Sequence, residues 1–170
     1  MNAAPLLWIL LVSSAIAVLS LKRVPQGHAY TVHRFGAYRR TLGAGLHWIL
    51  PLVDRVAHRV SLNGRSLTLA PRLIAELAPG APALQGRIYF QVLDAARADP
   101  EADHLDDVVL ETFTRVLRER PALLSQPPAE VNAQLKPMLN AELKLHGIVV
   151  IRCQLDRQPP RATDPNIRVR

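Results

Sequence analysis

The feature that most limits how this chain can fold is a run of sixteen uncharged, mostly apolar residues near its amino terminus. The run, Leu6 to Leu21, reads LLWILLVSSAIAVLSL and is followed at once by Lys22 and Arg23. Burial in the core of a soluble protein fits poorly, because a helix of this composition is apolar on every face. The run therefore predicts a helix that lies in a membrane.

The length and flanking charges of this run suggest how the helix would sit. Sixteen helical residues measure about 24 Å, against a hydrocarbon core of about 30 Å, so Ala3, Ala4 and Pro5 would have to extend the helix. Positive charge follows the run, which by the positive-inside rule predicts an uncleaved single-pass anchor at residues 1–23 and a cytoplasmic domain at the cell membrane. The predicted anchor residues are Leu6, Leu7, Trp8, Ile9, Leu10, Leu11, Val12, Ile16, Val18, Leu19 and Leu21.

A cleaved signal peptide is the alternative explanation of the same run. The segment Ala15-Ile16-Ala17 has the small residues of a cleavage site, although no positive residue precedes Leu6. Under this alternative the chain is an exported, periplasmic binding domain or hydrolase that is released near Ala17.

Positive charge is concentrated in the first part of the chain. Residues 1–60 contain seven basic residues and one acidic residue, a charge of +6, so the other 110 residues contribute +1 to the total of +7. Anionic lipid attracts such residues by about 1 kcal/mol each, and tryptophan favours the headgroup region, although Trp48 could equally pack in a core. Nucleic-acid binding is disfavoured, because the charges adjoin the apolar run and aromatic residues make up only 5%. The predicted membrane-surface contacts are Lys22, Arg23, Arg39, Arg40 and Trp48.

The segment from Val24 to Val92 has the punctuation of β structure. Short apolar runs alternate with glycine and proline, which predicts strands at 28–35, 55–62 and 84–93. Asn63-Gly64 is a two-residue turn signal, because both residues accept positive φ.

After Pro100 the apolar spacing becomes helical. It predicts one helix over Leu105 to Leu117 and a second that begins near Pro127-Pro128 and ends at Gly147. A β-rich run, Ile148 to Leu155, follows. The order predicts an α+β domain over 24–160; a basic tail at 161–170 is expected to be disordered.

The residues that usually carry chemistry form no recognisable catalytic or metal-binding motif. The six histidines are scattered, without HExxH or CxxC, and GxSxG, SxxK and P-loop sequences are absent. Cys153 lies in a strand-like run, which predicts a buried, inert thiol. We therefore expect no catalytic, cofactor-binding or metal-binding residues, and no enzyme.

An ordered set of short motifs resembles a known family. The set is Val24-Pro-Gln-Gly27, Arg34-Phe-Gly36, Tyr38, Arg40-Thr-Leu42, Gly45-Leu-His47, Pro51, Asp54-Arg-Val56, Phe90-Gln-Val-Leu-Asp94-Ala, Ala98, Thr112, Arg115, Gly147-Ile-Val-Val and Pro159-Pro160. In this order the motifs resemble the Band 7 or SPFH domain of stomatins, prohibitins and bacterial slipins. The resemblance implies a domain of antiparallel strands with two to three helices behind the anchor, and covers residues 22 to 160.

The resemblance also implies a function without chemistry. A protein of this kind would be a scaffold that lies on the inner leaflet and organises partners: further copies of itself, membrane proteases or other integral proteins, and anionic lipids. The segment after Pro71, LIAELAPGAP, departs from the family pattern. Relatives continue into a long helix that drives ring assembly, so for this chain the resemblance implies a short form that makes a small oligomer or joins a longer relative.

Overall fold

The structure, a computed structural model, describes residues 4–71 and 84–157, with side chains for 7–71 and 85–156. The segment after Pro71 that departs from the family pattern and the tail at 161–170 fall outside these residues. Short 3₁₀ helices occur at Asp99–Glu101, Pro121–Ser125 and Lys144–His146. The other elements are α1 (Ala4–Ser20), β1 (Leu21–Val24), β2 (His28–Arg34), β3 (Ala37–Leu42), β4 (Gly45–Trp48), β5 (Asp54–Ser61), β6 (Arg65–Leu69), β7 (Leu84–Val92), α2 (Ala95–Ala98), α3 (Leu105–Glu119), α4 (Pro128–Leu143) and β8 (Ile148–Arg157).

The prediction of a transmembrane helix, and with it of a single-pass protein, is wrong. Among the described residues, no helix is both long enough and apolar enough to cross a membrane. α1 has 17 residues, or about 26 Å at 1.5 Å per residue, because the chain leaves the helix at Leu21 and enters β1. The carbonyl oxygen of Ser20 accepts a hydrogen bond from the Ile49 amide at 2.9 Å, which ties the end of α1 to the strand region.

The described chain divides into two compact units. The first contains residues 4–64, 91–105 and 144–149. It holds a two-stranded sheet, β1–β4, and a three-stranded sheet of order β3-β2-β5, and the pairs within them are antiparallel. Its central apolar cluster, against which Tyr30 and Val56 pack, consists of Val24, Val32, Leu42 and Ile49.

Positive φ occurs, among other positions of the first unit, at the β2–β3 turn and at Gly147. Phe35 (φ 52°) and Gly36 (φ 83°) join β2 to β3, the two-residue geometry that matches strand twist. The sequence placed such a turn at Asn63-Gly64, but neither residue has positive φ, and the strands on either side, β5 and β6, belong to different sheets. Gly147 (φ 69°) ends the helical segment as expected, and its amide hydrogen-bonds to the Lys144 carbonyl.

The second unit contains residues 65–71, 84–90, 106–143 and 150–157. It holds most of α3, all of α4 and most of a sheet of order β6-β7-β8. Both predicted helices are confirmed, and each presents a buried apolar face at helical spacing. The fully buried residues of these two faces are Val109, Phe113, Leu117, Leu135, Leu139 and Leu143.

Two asparagines of α4 bind the backbone of β8. The Asn140 side chain accepts from the Val150 amide at 2.7 Å and donates to the Val150 carbonyl at 3.2 Å. Asn132 does the same at Leu155, at 2.8 and 3.3 Å. A side-chain amide with this pairing satisfies backbone groups that an edge strand would otherwise leave open.

Candidate functional site

One face of the β1–β4 pair is apolar and exposed. Leu21 pairs with Trp48, and Arg23 pairs with Leu46. Directly paired residues lie on the same face, and so do residues two apart along a strand, so these four side chains share one face. All four are exposed, Trp48 by 57%. The opposite face holds Val24, which is buried in the core.

The loop after β4 extends this apolar face. Ile49 turns inward and is buried, whereas Leu50 is 48% and Leu52 is 91% exposed. We call the exposed apolar side chains of α1, of Leu21, Leu46 and Trp48, and of Leu50 and Leu52 the apolar surface. α1 runs directly into β1, β1 pairs with β4, and the segment with Leu50 and Leu52 follows β4 along the chain.

Polar contacts hold the backbone of this loop in place. The Arg40 guanidinium donates to the Trp48 carbonyl at 2.6 Å. Asp54 accepts from Arg34 at 2.7 Å and from the Leu50 amide at 3.3 Å. The hydrogen bond from Arg34 lowers the pKa of Asp54, against burial, which would raise it; the Leu50 amide and the charges of Arg34 and Arg40 add to the lowering. The ionised Asp54 therefore holds the backbone at Leu50, while Arg40 holds the backbone at Trp48.

The structure brings most of the predicted anchor residues together on α1. Leu21 lies in β1 instead, and the side chain of Leu6 is outside the described residues. The remaining predicted residues are all exposed: Leu7, Trp8, Ile9, Leu10, Leu11, Val12, Ile16, Val18 and Leu19.

The predicted surface contacts differ in where they lie. Arg23 shares the face of Trp48, whereas Lys22 pairs with His47 on the other face of the ribbon. Arg40 pairs with Val32 of β2, whereas Arg39 is skipped where the β2–β3 register shifts between Val32 and His33. Core burial, the alternative weighed for Trp48, does not match its exposure; contact of these residues with lipid stays a prediction.

A second feature of the first unit is a cluster of two histidines and an aspartate. His33 of β2 and His58 of β5 both contact Asp99, whose side chain is 7% exposed. The distances are 2.6 Å from His33 Nε2 to Asp99 Oδ2 and 2.8 Å from His58 Nδ1 to Asp99 Oδ1. The two rings meet edge to face with centroids 5.9 Å apart. We call these three residues the His–Asp cluster.

Neighbouring groups orient the cluster. Thr31, which is fully buried, accepts from the His58 backbone amide at 3.2 Å and hydrogen-bonds to Asp99. Burial raises the pKa of Asp99, but the hydrogen bonds from Thr31, His58 and His33 together outweigh burial, so the pKa is lowered. Asp103 Oδ2 lies 3.8 Å from the other ring nitrogen of His58.

Sequence reasoning missed the His–Asp cluster. Asp99 is 66 residues from His33 and 41 residues from His58, so no local spacing reveals it. The available signal was that both histidines fall within strands expected from the sequence, which could have paired. The expectation for Cys153 is confirmed: the thiol is buried, and burial raises its pKa to about 11.

Comparison with known proteins shows which family the chain matches. Residues 22–168 match the model of the SPFH domain / Band 7 family. The chain belongs to that family. An uncharacterised protein of Schizosaccharomyces pombe is 29% identical over 156 residues, covering 84% of this chain and 42% of its own. An uncharacterised protein of Mycobacterium tuberculosis is 29% identical over 164 residues, with coverage of 91% and 41%.

A named relative, human stomatin-like protein 2, mitochondrial, is 23% identical over 148 residues, covering 83% of this SPFH chain and 42% of its own. The chain thus spans about two fifths of the length of the curated relatives it matches. The resemblance inferred from the sequence motifs is confirmed. Membership of this family supports a scaffold-type family, the class of the first of the two functions expected from the sequence.

Proposed function

We propose that this SPFH domain is a scaffold module held on a membrane by its apolar surface. The observation that carries the proposal is that exposed apolar side chains occupy α1, the outward face of the adjoining β1–β4 pair, and positions 50 and 52 just after β4. Soluble proteins rarely expose contiguous apolar patches of large size, and such patches mark membrane or protein contacts. A helix apolar all round, like α1, favours hydrocarbon over water.

The geometry supports a particular mode of attachment. α1 enters the hydrocarbon region from one side, and the face of Trp48 and Leu46 lies at the headgroup level, where tryptophan is enriched. Arg23, on that same face, meets anionic headgroups. The cytoplasmic location of the domain follows from the positive-inside rule only for a helix that crosses the membrane, and it stays a prediction.

The scaffold role is the part of the proposal that depends on family membership. The module would organise other copies of itself, a longer Band 7 relative, or membrane proteases and other integral proteins, as the family resemblance implies. Attachment through the apolar surface leaves the other faces of the first unit available for these partners.

The two tryptophans give a direct test, because one lies in α1 and the other in the β1–β4 face. In a Trp8→Phe variant of the full chain, Trp48 is the sole tryptophan, and in Trp48→Phe the sole tryptophan is Trp8. We expect both variants to show a blue shift on reconstitution into vesicles and quenching by brominated lipid. Trp8 should be quenched most by lipid brominated deeper in the acyl chain than the lipid that quenches Trp48 most, because α1 is apolar on every side.

A third reporter controls for non-specific adsorption. A tryptophan placed at Ile151, an exposed apolar position of the second unit, in a chain with both native tryptophans replaced by phenylalanine, should not be quenched. If Trp8 is quenched and Trp48 is not, α1 inserts without the β1–β4 face, and the proposed mode of attachment is wrong. If neither is quenched, membrane attachment through this surface is wrong.

A further inference from the structure

The His–Asp cluster has the composition of a metal site, and nothing in the scaffold function requires it. Within the described part of the chain, it is the one group of three His, Cys, Asp or Glu side chains whose ligand atoms lie together, all within 4.8 Å. We propose that His33, His58 and Asp99 bind a divalent transition-metal ion of the zinc type. This departs from the sequence-based expectation of no metal site.

The ligand set fits such an ion. Two imidazole nitrogens and one carboxylate are a common set for zinc sites that keep a fourth position for water, and imidazole suits other first-row ions such as Co²⁺ and Ni²⁺. The three ligands come from β2, β5 and the 3₁₀ helix at Asp99–Glu101, so the folded first unit holds them. A magnesium-like or calcium-like ion is disfavoured, because those ions prefer oxygen ligands throughout.

The distances fit a site that is assembled before metal arrives. Ligands of a tetrahedral zinc with bonds of about 2.0–2.1 Å are about 3.3 Å apart. The present separations of 2.6 and 2.8 Å are those of hydrogen bonds to Asp99, so the rings would move away from the carboxylate by about 0.5–0.7 Å. Both histidine side chains are about one quarter exposed, at 22% and 27%, which leaves them room to move.

The surroundings supply the outer contacts that metal ligands use. A metal-bound histidine usually donates its second ring N–H to a carboxylate or a similar acceptor. Asp103 lies on that side of His58, 3.8 Å from Nε2. Thr31 hydrogen-bonds to the ligand carboxylate itself. His33 also lines an open groove with Phe35 and Leu52, which gives an ion a route from solvent.

Zinc binding to the full chain in detergent micelles tests the proposal. Equilibrium dialysis should give one Zn²⁺ per chain, and Zn²⁺ should raise the midpoint of thermal unfolding, because an ion that binds only the folded state stabilises it. His33→Gln and His58→Gln should each weaken zinc affinity about 100-fold, and Thr31→Val about 10-fold, in line with outer-contact effects of about 10- to 100-fold. Co²⁺ should give the visible absorption of a four-coordinate site.

The control is His28→Gln, which removes a histidine of the same strand that hydrogen-bonds only locally, to the Gln26 carbonyl. It should bind zinc like the unaltered chain. The inference is overturned if the full chain shows no saturable zinc binding, or if binding survives unchanged in both His33→Gln and His58→Gln. Circular dichroism of the two variants shows that they are folded; if either is not, Thr31→Val and Asp103→Asn decide by the same criterion.

Discussion

The two units of this SPFH domain handle apolar side chains in opposite ways. In the second unit, the apolar faces of α3 and α4 are buried. In the first unit, a small core of Val24, Val32, Leu42 and Ile49 coexists with an outer apolar surface. Of the large apolar side chains exposed among the described residues, all but Ile151 belong to the first unit.

This difference in burial indicates that apolar side chains serve stability in the second unit and binding in the first. A unit whose apolar residues are consumed in its own core gains stability from them and offers little to a membrane. A unit that leaves them in solvent forgoes about 25 cal/mol for each Å² that it fails to bury, and the loss is recovered where lipid or a partner covers the surface. The first unit therefore has an exposed apolar surface suited to attachment, whereas the second unit buries its apolar side chains in its own core.

The sharpest test of this contrast truncates one aromatic residue in each unit. Phe113→Ala in the second unit should lower the free energy of unfolding by about 3–5 kcal/mol, because it leaves a cavity in a closed core. Trp48→Ala in the first unit should change it by less than about 0.5 kcal/mol yet weaken vesicle binding several-fold. Urea unfolding in micelles and vesicle flotation measure the two quantities.

The contrast between the two units is wrong if Trp48→Ala lowers the free energy of unfolding as Phe113→Ala does, or if it leaves vesicle binding unchanged. A loss of several kcal/mol on Trp48→Ala would mean that Trp48 supports the first unit's own packing. Undiminished flotation in the same variant would mean that α1 alone attaches the domain.

A smaller effect tests how the second unit closes its edge strand. Asn140→Ala removes both side-chain hydrogen bonds to Val150 and should cost about 1–3 kcal/mol, the range for an unsatisfied buried backbone group. Vesicle flotation should not change. Asn140→Asp, which keeps the acceptor for the Val150 amide but loses the donor, should fall between the two; equal stability of all three proteins would exclude the pairing.

A still smaller effect concerns the loop of the first unit at low pH. The fold lowers the pKa of Asp54, chiefly through Arg34. A lowered pKa stabilises the fold above the unfolded-state value of about 3.9, and this contribution is lost as pH falls through the folded-state pKa. The stability difference between the unaltered chain and Asp54→Asn should therefore be constant near neutral pH and shrink below about pH 4.

The same titration contains its own check. Arg34→Gln removes the main cause of the lowered Asp54 pKa and should, like Asp54→Asn, flatten the acid side of the stability profile in urea unfolding at a series of pH values. Parallel curves for all three proteins would mean that the ion pair contributes nothing to stability.

Local pattern predicted much of the fold. The strands expected at 28–35, 55–62 and 84–93 correspond to β2, β5 and β7, and the expected helices correspond to α3 and α4. In these elements the buried side chains alternate or recur at helical spacing, so the apolar pattern of the sequence predicts the element. β3 lacks that signal, because four of its six residues, Ala37 to Arg40, are exposed and nothing alternates.

The candidate site was less predictable, for two physical reasons. Whether α1 could cross a membrane depended on where the helix ends, and pairing of Leu21 with Trp48 ends it one residue before the apolar run does. The position of Arg23 on the face of Trp48, and the meeting of two histidines with Asp99, depend on strand register and on contacts between distant segments. Register is set by packing on both strands, which a single stretch of sequence does not reveal.

The smallest predicted effect tests the face assignment itself, with two adjacent positive charges. Arg23 shares the exposed face of Leu21, Leu46 and Trp48, whereas Lys22 lies on the opposite face. Arg23→Gln should weaken binding to anionic vesicles by about 1 kcal/mol, or roughly fivefold, and Lys22→Gln by less. Both variants remove one charge, so a uniform long-range attraction would affect them equally.

Raising the salt concentration should reduce the difference in vesicle binding between Arg23→Gln and Lys22→Gln, because exposed charges are screened within about 8 Å at physiological ionic strength. Quenching of Trp48 in the Trp8→Phe background, measured against the fraction of anionic lipid, reads out the face directly; a larger loss for Lys22→Gln would mean that the ribbon meets the membrane through its other face.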